Sequence, residues 1–438
     1  MKRKMILPVA AVMMLTGCSF GSSIDTLMSP PKLSSEQEQI YKALTASTGD
    51  SISLKYPKSG NYLSAFIMED IDGDGENEAI VFYEKNGLTV EENTPRIEVL
   101  DKDDDGWHPK DDRAADGAEI EQVMISKLGD NDRMNIIIGS SMLNRSEKNA
   151  TIYNYSNGKL NAAPFKSYSF FDVTDIDGDG ENEFVLVNGG SSEENAKIKA
   201  YKLDNEGTFH PSAVDLSGGF TEFNGFSYGR LPDGRTGLYI DEAVGSGSIQ
   251  TDIIYMEDNG LKKVFPTPEA SALTNRPADW SSFDVDSDGS IEIPKLILAP
   301  GYDNYTEGEQ MMLTRWDSVD PDGKLVPRYS SYFSAGEGYI FVFPDKWRNK
   351  VTVSRDTLND ELVICAYNGA TSERGRELIR IYCAEDVASG EDRISMGYML
   401  LRTKGDTSYL AYIPQYTGSY DDDLSITAAD AAINFISV

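Results

Sequence analysis

The chain has 438 residues, of which 72 are acidic and 40 basic, for a formal net charge of −32. A surface this negative repels nucleic acid and anionic membrane, and it suits divalent cations. Hydrophobic residues make up 40% and aromatic residues 10% of the chain, so the acidity does not signal disorder, and the length suits two or three domains.

The first predicted element is a targeting segment. Lys2, Arg3 and Lys4 precede a short apolar run from Met5 to Leu15. That run is too short to span a bilayer and fits the hydrophobic region of a signal peptide. It ends in Leu15-Thr16-Gly17-Cys18, which resembles the bacterial lipobox. The resemblance implies a signal peptide over residues 1–17, cleavage before Cys18, lipidation of its thiol, and an exported protein anchored on the outer face of the bacterial membrane. An ordinary signal peptide followed by a chance cysteine is the alternative. Residues 18–33 are small, polar and proline-bearing and read as a flexible tether. "SEQEQIYKALTA" then predicts a short helix, capped by Ser34 or Ser35 with Gln37 or Glu38 placed for a capping box. It is expected to pack on the rim of the domain that follows.

The next feature is a repeat. "DIDGDGENE" stands unchanged at 70–78 and 175–183, and "DVDSDGSIE" at 284–292 is a looser copy. Acids occupy positions 1, 3, 5 and 9: Asp70, Asp72, Asp74 and Glu78; Asp175, Asp177, Asp179 and Glu183; Asp284, Asp286, Asp288 and Glu292. Hard oxygen donors at alternate positions, with glycine at position 6 permitting a sharp turn, are what a Ca²⁺ loop requires. An EF-hand would need a bidentate Glu at position 12 and a helix after it. Here position 12 is Val81, Leu186 or Lys295, and the runs "AIVFY", "FVLV" and "PKLILA" read as buried strands.

A D-x-D-x-D-G-x-x-E loop feeding a strand resembles the FG-GAP or VCBS repeat of integrin-α-type β-propellers. The resemblance implies one Ca²⁺ per loop, held by the twelve acids just named and by the backbone carbonyls of Glu76, Glu181 and Ser290 at position 7. Acidic surface turns without metal are the alternative. The loops begin at residues 70, 175 and 284, about twice the length of a four-stranded blade apart. Degenerate copies without the full acid set fall between them, at 127–140 and 230–243. Hairpin signals centred on Gly106, Gly158, Gly207, Gly260 and Gly323 recur roughly every 50 residues. Together these predict a mainly β fold: an FG-GAP/VCBS-type β-propeller with an N-terminal helix over residues 34–330, five recognisable repeats and five to seven blades.

Beyond it the rhythm changes, and residues 331–438 predict a small α+β module. It is loosely similar to the α/β sandwich of photosystem extrinsic proteins. Phe343 and Trp347 are expected in its core, and "TAADAAINFI", capped by Thr427 with Asp430 three residues on, as its closing helix. Cys365 and Cys383 lie in apolar runs that could pair as neighbouring strands, leaving open a disulfide or buried free thiols.

The sequence offers little catalytic machinery. The two histidines, His108 and His210, both follow an aromatic residue and precede proline, just after a hairpin turn, so the repeat accounts for them. No nucleophile elbow, phosphate-cradling loop or zinc-type cluster is present in the sequence. The expected role is therefore non-enzymatic: binding or scaffolding at the cell surface, with a glycan, cell-wall or protein ligand and no nucleic acid. A polysaccharide-active enzyme using a carboxylate pair on the propeller face, or an accessory subunit of an envelope complex, are the alternatives.

Overall fold

The computed structural model describes residues 33–438, apart from 50, 88–93, 130–132, 144–145, 166, 259, 370–374 and 417–423. The expected signal peptide, Cys18 and all but the last residue of the expected tether lie outside the described residues. No helix among the described residues is long and apolar enough to cross a membrane.

Helix α1 (Ser35–Thr48) opens with the expected capping box. The Ser34 hydroxyl accepts from the Gln37 N–H at 3.2 Å, and the Gln37 side chain accepts from the Ser34 N–H at 3.0 Å. Ile40 and Leu44, one turn apart and both fully buried, present one face to the first sheet. There they meet Val81, Tyr83, Leu100 and Trp107, so α1 covers that sheet's outer side.

Six antiparallel sheets follow in chain order. The first holds β1 (Ile52–Leu54), β2 (Phe66–Glu69), β3 (Glu78–Lys85), β4 (Arg96–Asp103) and β5 (Gly106–Ala114). The second is a meander of β6 (Glu119–Ser126), β7 (Asn135–Ser141), β8 (Lys148–Ser156) and β9 (Lys159–Phe165). The third is a meander of β10 (Phe170–Thr174), β11 (Glu183–Asn188), β12 (Lys197–Leu203) and β13 (Phe209–Asp215). The fourth contains β14 (Phe223–Arg230), β15 (Thr236–Ala243), β16 (Ser248–Glu257) and β17 (Gly260–Lys263), with β18 (Arg276–Pro277) paired to β16. The fifth contains β19 (Ile293–Leu298), β20 (Met312–Val319), β21 (Leu325–Ser334) and β22 (Tyr339–Val342).

The runs "AIVFY" and "FVLV" predicted as buried strands lie in β3 and β11, paired on both sides and buried, whereas "PKLILA" forms the edge strand β19, where Lys295 is exposed and Leu296–Leu298 are half-buried because no strand covers its outer side. In β7, Ile136 and Ile138 pack toward the first sheet while Ile137 packs toward the third, as the two-residue alternation of a strand dictates. In β11, Phe184 and Leu186 face the second sheet, and Val185 and Val187 the fourth. Each fully buried side chain of this size contributes about 1.5–3 kcal/mol, so every sheet depends on its neighbours. The expected hairpins all form. Ser156 pairs with Lys159 across Asn157 and Gly158, whose φ values of 52° and 72° suit a primed two-residue turn.

The C-terminal region departs from expectation in three respects. The boundary drawn between residues 330 and 331 falls inside β21. The closing helix, α4 (Ala428–Ile433), does begin at Thr427 with Asp430 completing its capping box, but it is shorter than predicted. Phe435–Ser437 instead form β28, which pairs with β22 and adds a fifth strand to the fifth sheet. Burial of Phe435 against Tyr339 and Tyr409 outweighs local helix preference there. The sixth sheet comprises β23 (Val351–Asp356), β24 (Glu361–Ala366), β25 (Glu377–Ala384), β26 (Met399–Lys404) and β27 (Thr407–Tyr412), with α3 (Val387–Ser395) beside it. It shares a core with the fifth sheet in which Phe343 and Trp347 are buried as expected.

Cys365 and Cys383 do lie on neighbouring strands, but they are not bridged. Cys365 stands opposite Glu377 and Cys383 opposite Tyr409. Six residues along a strand separate Glu377 from Cys383, about 20 Å, far beyond the reach of a disulfide.

Candidate metal centres

Each D-x-D-x-D-G-x-x-E loop runs into the strand whose first or preceding residue is its last Glu. The backbone of each loop is folded onto its own aspartates. Asp70 accepts from the N–H groups of Gly73 and Gly75 at 2.7 and 3.0 Å, and Asp175 from those of Gly178 and Gly180 at 2.7 and 2.9 Å. Asp284 accepts from Asp288 and Gly289 at 3.1 and 2.9 Å. Position 3 accepts from the position-5 N–H in all three loops, and position 5 from the position-7 N–H. These side-chain turns aim successive carboxylates to one side of the loop. Gly75, Gly180 and Gly289 have φ of 93°, 91° and 87°, which explains the glycine at position 6.

The ninth residue completes each cluster from inside the fold. Glu78, Glu183 and Glu292 are only 1%, 0% and 2% exposed. One oxygen of each accepts from the position-2 N–H: Ile71 at 2.8 Å, Ile176 at 3.1 Å and Val285 at 3.1 Å. The other oxygen of Glu78 and of Glu183, Oε1, is buried with no hydrogen-bond partner. Carboxylate oxygens of positions 1, 3 and 9 lie within 4.8 Å of one another in all three loops. Burial, helped by neighbouring aspartate charges, pushes Glu78, Glu183 and Glu292 up to about 7.

The structure therefore brings together Asp70, Asp72 and Glu78; Asp175, Asp177 and Glu183; and Asp284, Asp286 and Glu292. Asp74, Asp179 and Asp288 fall outside these groups, and the N–H groups of Glu76, Glu181 and Ser290 donate to these position-5 aspartates. A buried carboxylate oxygen without a donor is costly. Convergent hard oxygens around such an atom fit an oxygen-seeking cation of the Ca²⁺ type.

Sequence reasoning missed two features. Lys202 on β12 reaches the second loop, with its Nζ 3.4 Å from Asp177 Oδ2 and ion-paired with Asp179. A second buried cluster crosses β15, β16 and β18. Arg276 donates to Asp241 at 2.8 Å with both side chains almost fully buried, and Asp252 accepts from the Ser217 N–H at 2.6 Å. Beside it Glu242 Oε1 has no donor, and burial, then the Asp252 charge, pushes Glu242 up to about 10. Acids interrupting the apolar runs "LYIDEA" and "QTDIIY" were the available signal. His108 and His210 are each exposed and bonded to the hairpin aspartates Asp103 and Asp204 at 2.9 and 2.7 Å, as a repeated structural position should be.

The fold and its loops define a mainly β protein of serially packed antiparallel sheets bearing acidic, cation-type loops. No protein-family model matches the chain, and no curated protein matches it. Among solved structures it is similar to a protein from Lactobacillus plantarum, at 13% identity over 73% of this chain and 86% of that one, with a TM-score of 0.30. It is also similar to an endo-arabinase from Bacteroides thetaiotaomicron (10% identity, 64% and 98% covered, TM-score 0.25). An exo-beta-1,3-galactanase from Phanerochaete chrysosporium is a further match (11% identity, 76% and 80% covered, TM-score 0.27). Likeness of this size assigns no activity to the chain.

Proposed function

We propose that the chain is an exported, lipid-anchored cell-surface protein whose FG-GAP/VCBS-type blades are held by Ca²⁺ and whose role is binding or scaffolding. The observation that carries the calcium reading is the buried, donor-less Oε1 of Glu78, a carboxylate with an oxygen within 4.8 Å of those of two loop aspartates. Asp70, Asp72 and Glu78 and their counterparts would hold the ion. When bound, Ca²⁺ supplies the positive charge that lets these carboxylates stay ionised where water is excluded. The aspartates fix the loop backbone, and Glu78, Glu183 and Glu292 tie each loop to its strand. Export and the lipid anchor rest on residues 1–18, and the glycan, cell-wall or protein ligand would meet the connections between strands.

Thermal melts of the full chain in Ca²⁺ and in EGTA test the reading, alongside a variant carrying Asp72→Ala, Asp177→Ala and Asp286→Ala. Ligand present at a hundredfold its Kd stabilises by about 2.7 kcal/mol per site. The expected outcome is a melting temperature several degrees higher in Ca²⁺, with no such rise in the triple variant. Superimposable melts in Ca²⁺ and EGTA would overturn it.

A further inference from the structure

Loops of one pattern do not meet one environment. One position differs among the three sheets, on the strand that follows each loop's own strand and two places before the hairpin aspartate: Asp101 before Asp103, Lys202 before Asp204, Ser318 before Asp320. Sheet register makes them equivalent. Asp101 stands opposite His108, Lys202 opposite His210, and Ser318 opposite Val326. The three equivalent positions are thus an anion, a cation and a neutral hydroxyl.

At the second loop the Lys202 ammonium is 3.4 Å from Asp177 Oδ2, 3.8 Å from Glu181 Oε2 and 3.9 Å from Glu183 Oε1, and it pairs with Asp179. Glu183 Oε1 is the buried oxygen that no donor satisfies. A fixed positive charge therefore stands among the carboxylates of positions 3, 5, 7 and 9. At the first loop Asp101, paired with Lys110 at 3.3 Å, instead adds negative charge to the field around Asp72 and Glu78. The adjacent Lys102 turns away to Glu36 of α1 at 3.1 Å. At the third loop Ser318 accepts from Arg328 at 2.7 Å, and the Tyr329 hydroxyl donates to Asp286.

We infer that Lys202 is the resident cation of the second loop, so that the three loops take up Ca²⁺ unequally: the first and third bind it, and the second is neutralised by the chain itself. Two unit charges on one ion outcompete one ammonium only if the ammonium and its stem can be moved aside. The Lys202 backbone is fixed opposite His210 in a hairpin, and its ammonium is held among Asp177, Asp179, Glu181 and Glu183. The inference rests on reading the loops as Ca²⁺ sites.

Calorimetric titration of the full chain with Ca²⁺ tests it by counting ions. The wild-type chain should bind two and Lys202→Met three, and in EGTA Lys202→Met should melt below the wild type because its second loop has lost this counter-charge. Asp101→Lys, which places an ammonium at the first loop, should lower the count by one and serves if Lys202→Met does not fold. An unchanged count in both variants would overturn the inference while leaving the calcium reading intact. Absence of Ca²⁺ binding by the wild type and both variants would overturn the two together.

Discussion

Glu242 and Glu78 are both buried carboxylates with a donor-less oxygen, yet their neighbours differ. Around Glu78 stand loop aspartates that converge on a common point. Around Glu242 stands the hydrogen-bonded Asp252, and the group resolves its burial by keeping a proton. Its ordinary value is about 4.3, whereas in the fold it is pushed up to about 10. The folded state thus holds a proton that the unfolded state releases between those values. The associated stability is complete below about pH 4.3, declines as pH rises through this window, and is gone above about 10, with a slope of at most about 1.4 kcal/mol per pH unit. Glu242→Gln should flatten the fall in melting temperature between pH 6 and 9; an unchanged slope would refute the assignment. Residue-scale legibility followed distance along the chain. Asp70, Asp72 and Glu78 were readable because loop ligands lie within nine residues. Lys202 was not, because sheet register rather than local spacing carries it to the second loop.

At the scale of elements, what is closed by local hydrogen bonds was readable and what is closed by packing was not. The two expected capping boxes, Ser34 with Gln37 and Thr427 with Asp430, join partners three residues apart, and the turn at Asn157-Gly158 sets its own hairpin. The strand β28 had no such signature, since "NFIS" continues an amphipathic run and its place is defined by distant partners: Tyr339, with its ring stacked on Phe435 at 5.3 Å and 20°, and Tyr409 at 5.1 Å. Phe435 is 1% exposed, so Phe435→Ala should cost about 3–5 kcal/mol. A chemical denaturation midpoint reads this directly; a loss below about 1 kcal/mol would mean that β28 adds little to the fifth sheet.

Across the whole molecule, the sheets are mutually dependent in series. Cores join the first sheet to the second, the second to the third, and so on to the sixth. The succession of hairpins was legible because hairpin glycines recur, but the end of the series was not, because the fifth sheet draws its last strand from the far C-terminus. Tyr339, Phe341, Ile364 and Ile381 belong to one cluster, and a fragment of residues 331–438 keeps most of that core but is cut through β21 and loses β20, the strand β21 pairs with. Expressed alone it should melt below the full chain, because β21 has lost its partner strand; an equal melting temperature would mark it as an independent unit.

Helix α1 has a mechanical consequence. It is held to the first sheet by side-chain packing around Ile40 and Leu44, without the backbone ladder that joins each strand to the next. Tension applied to the chain from its N-terminal side would load α1 before any sheet, and would peel it away at forces too small to shear paired strands. The face it uncovers, with Val81, Leu100 and Trp107, is apolar and flat. A pull from that side would therefore turn a covered surface into an adhesive one before any sheet unfolds.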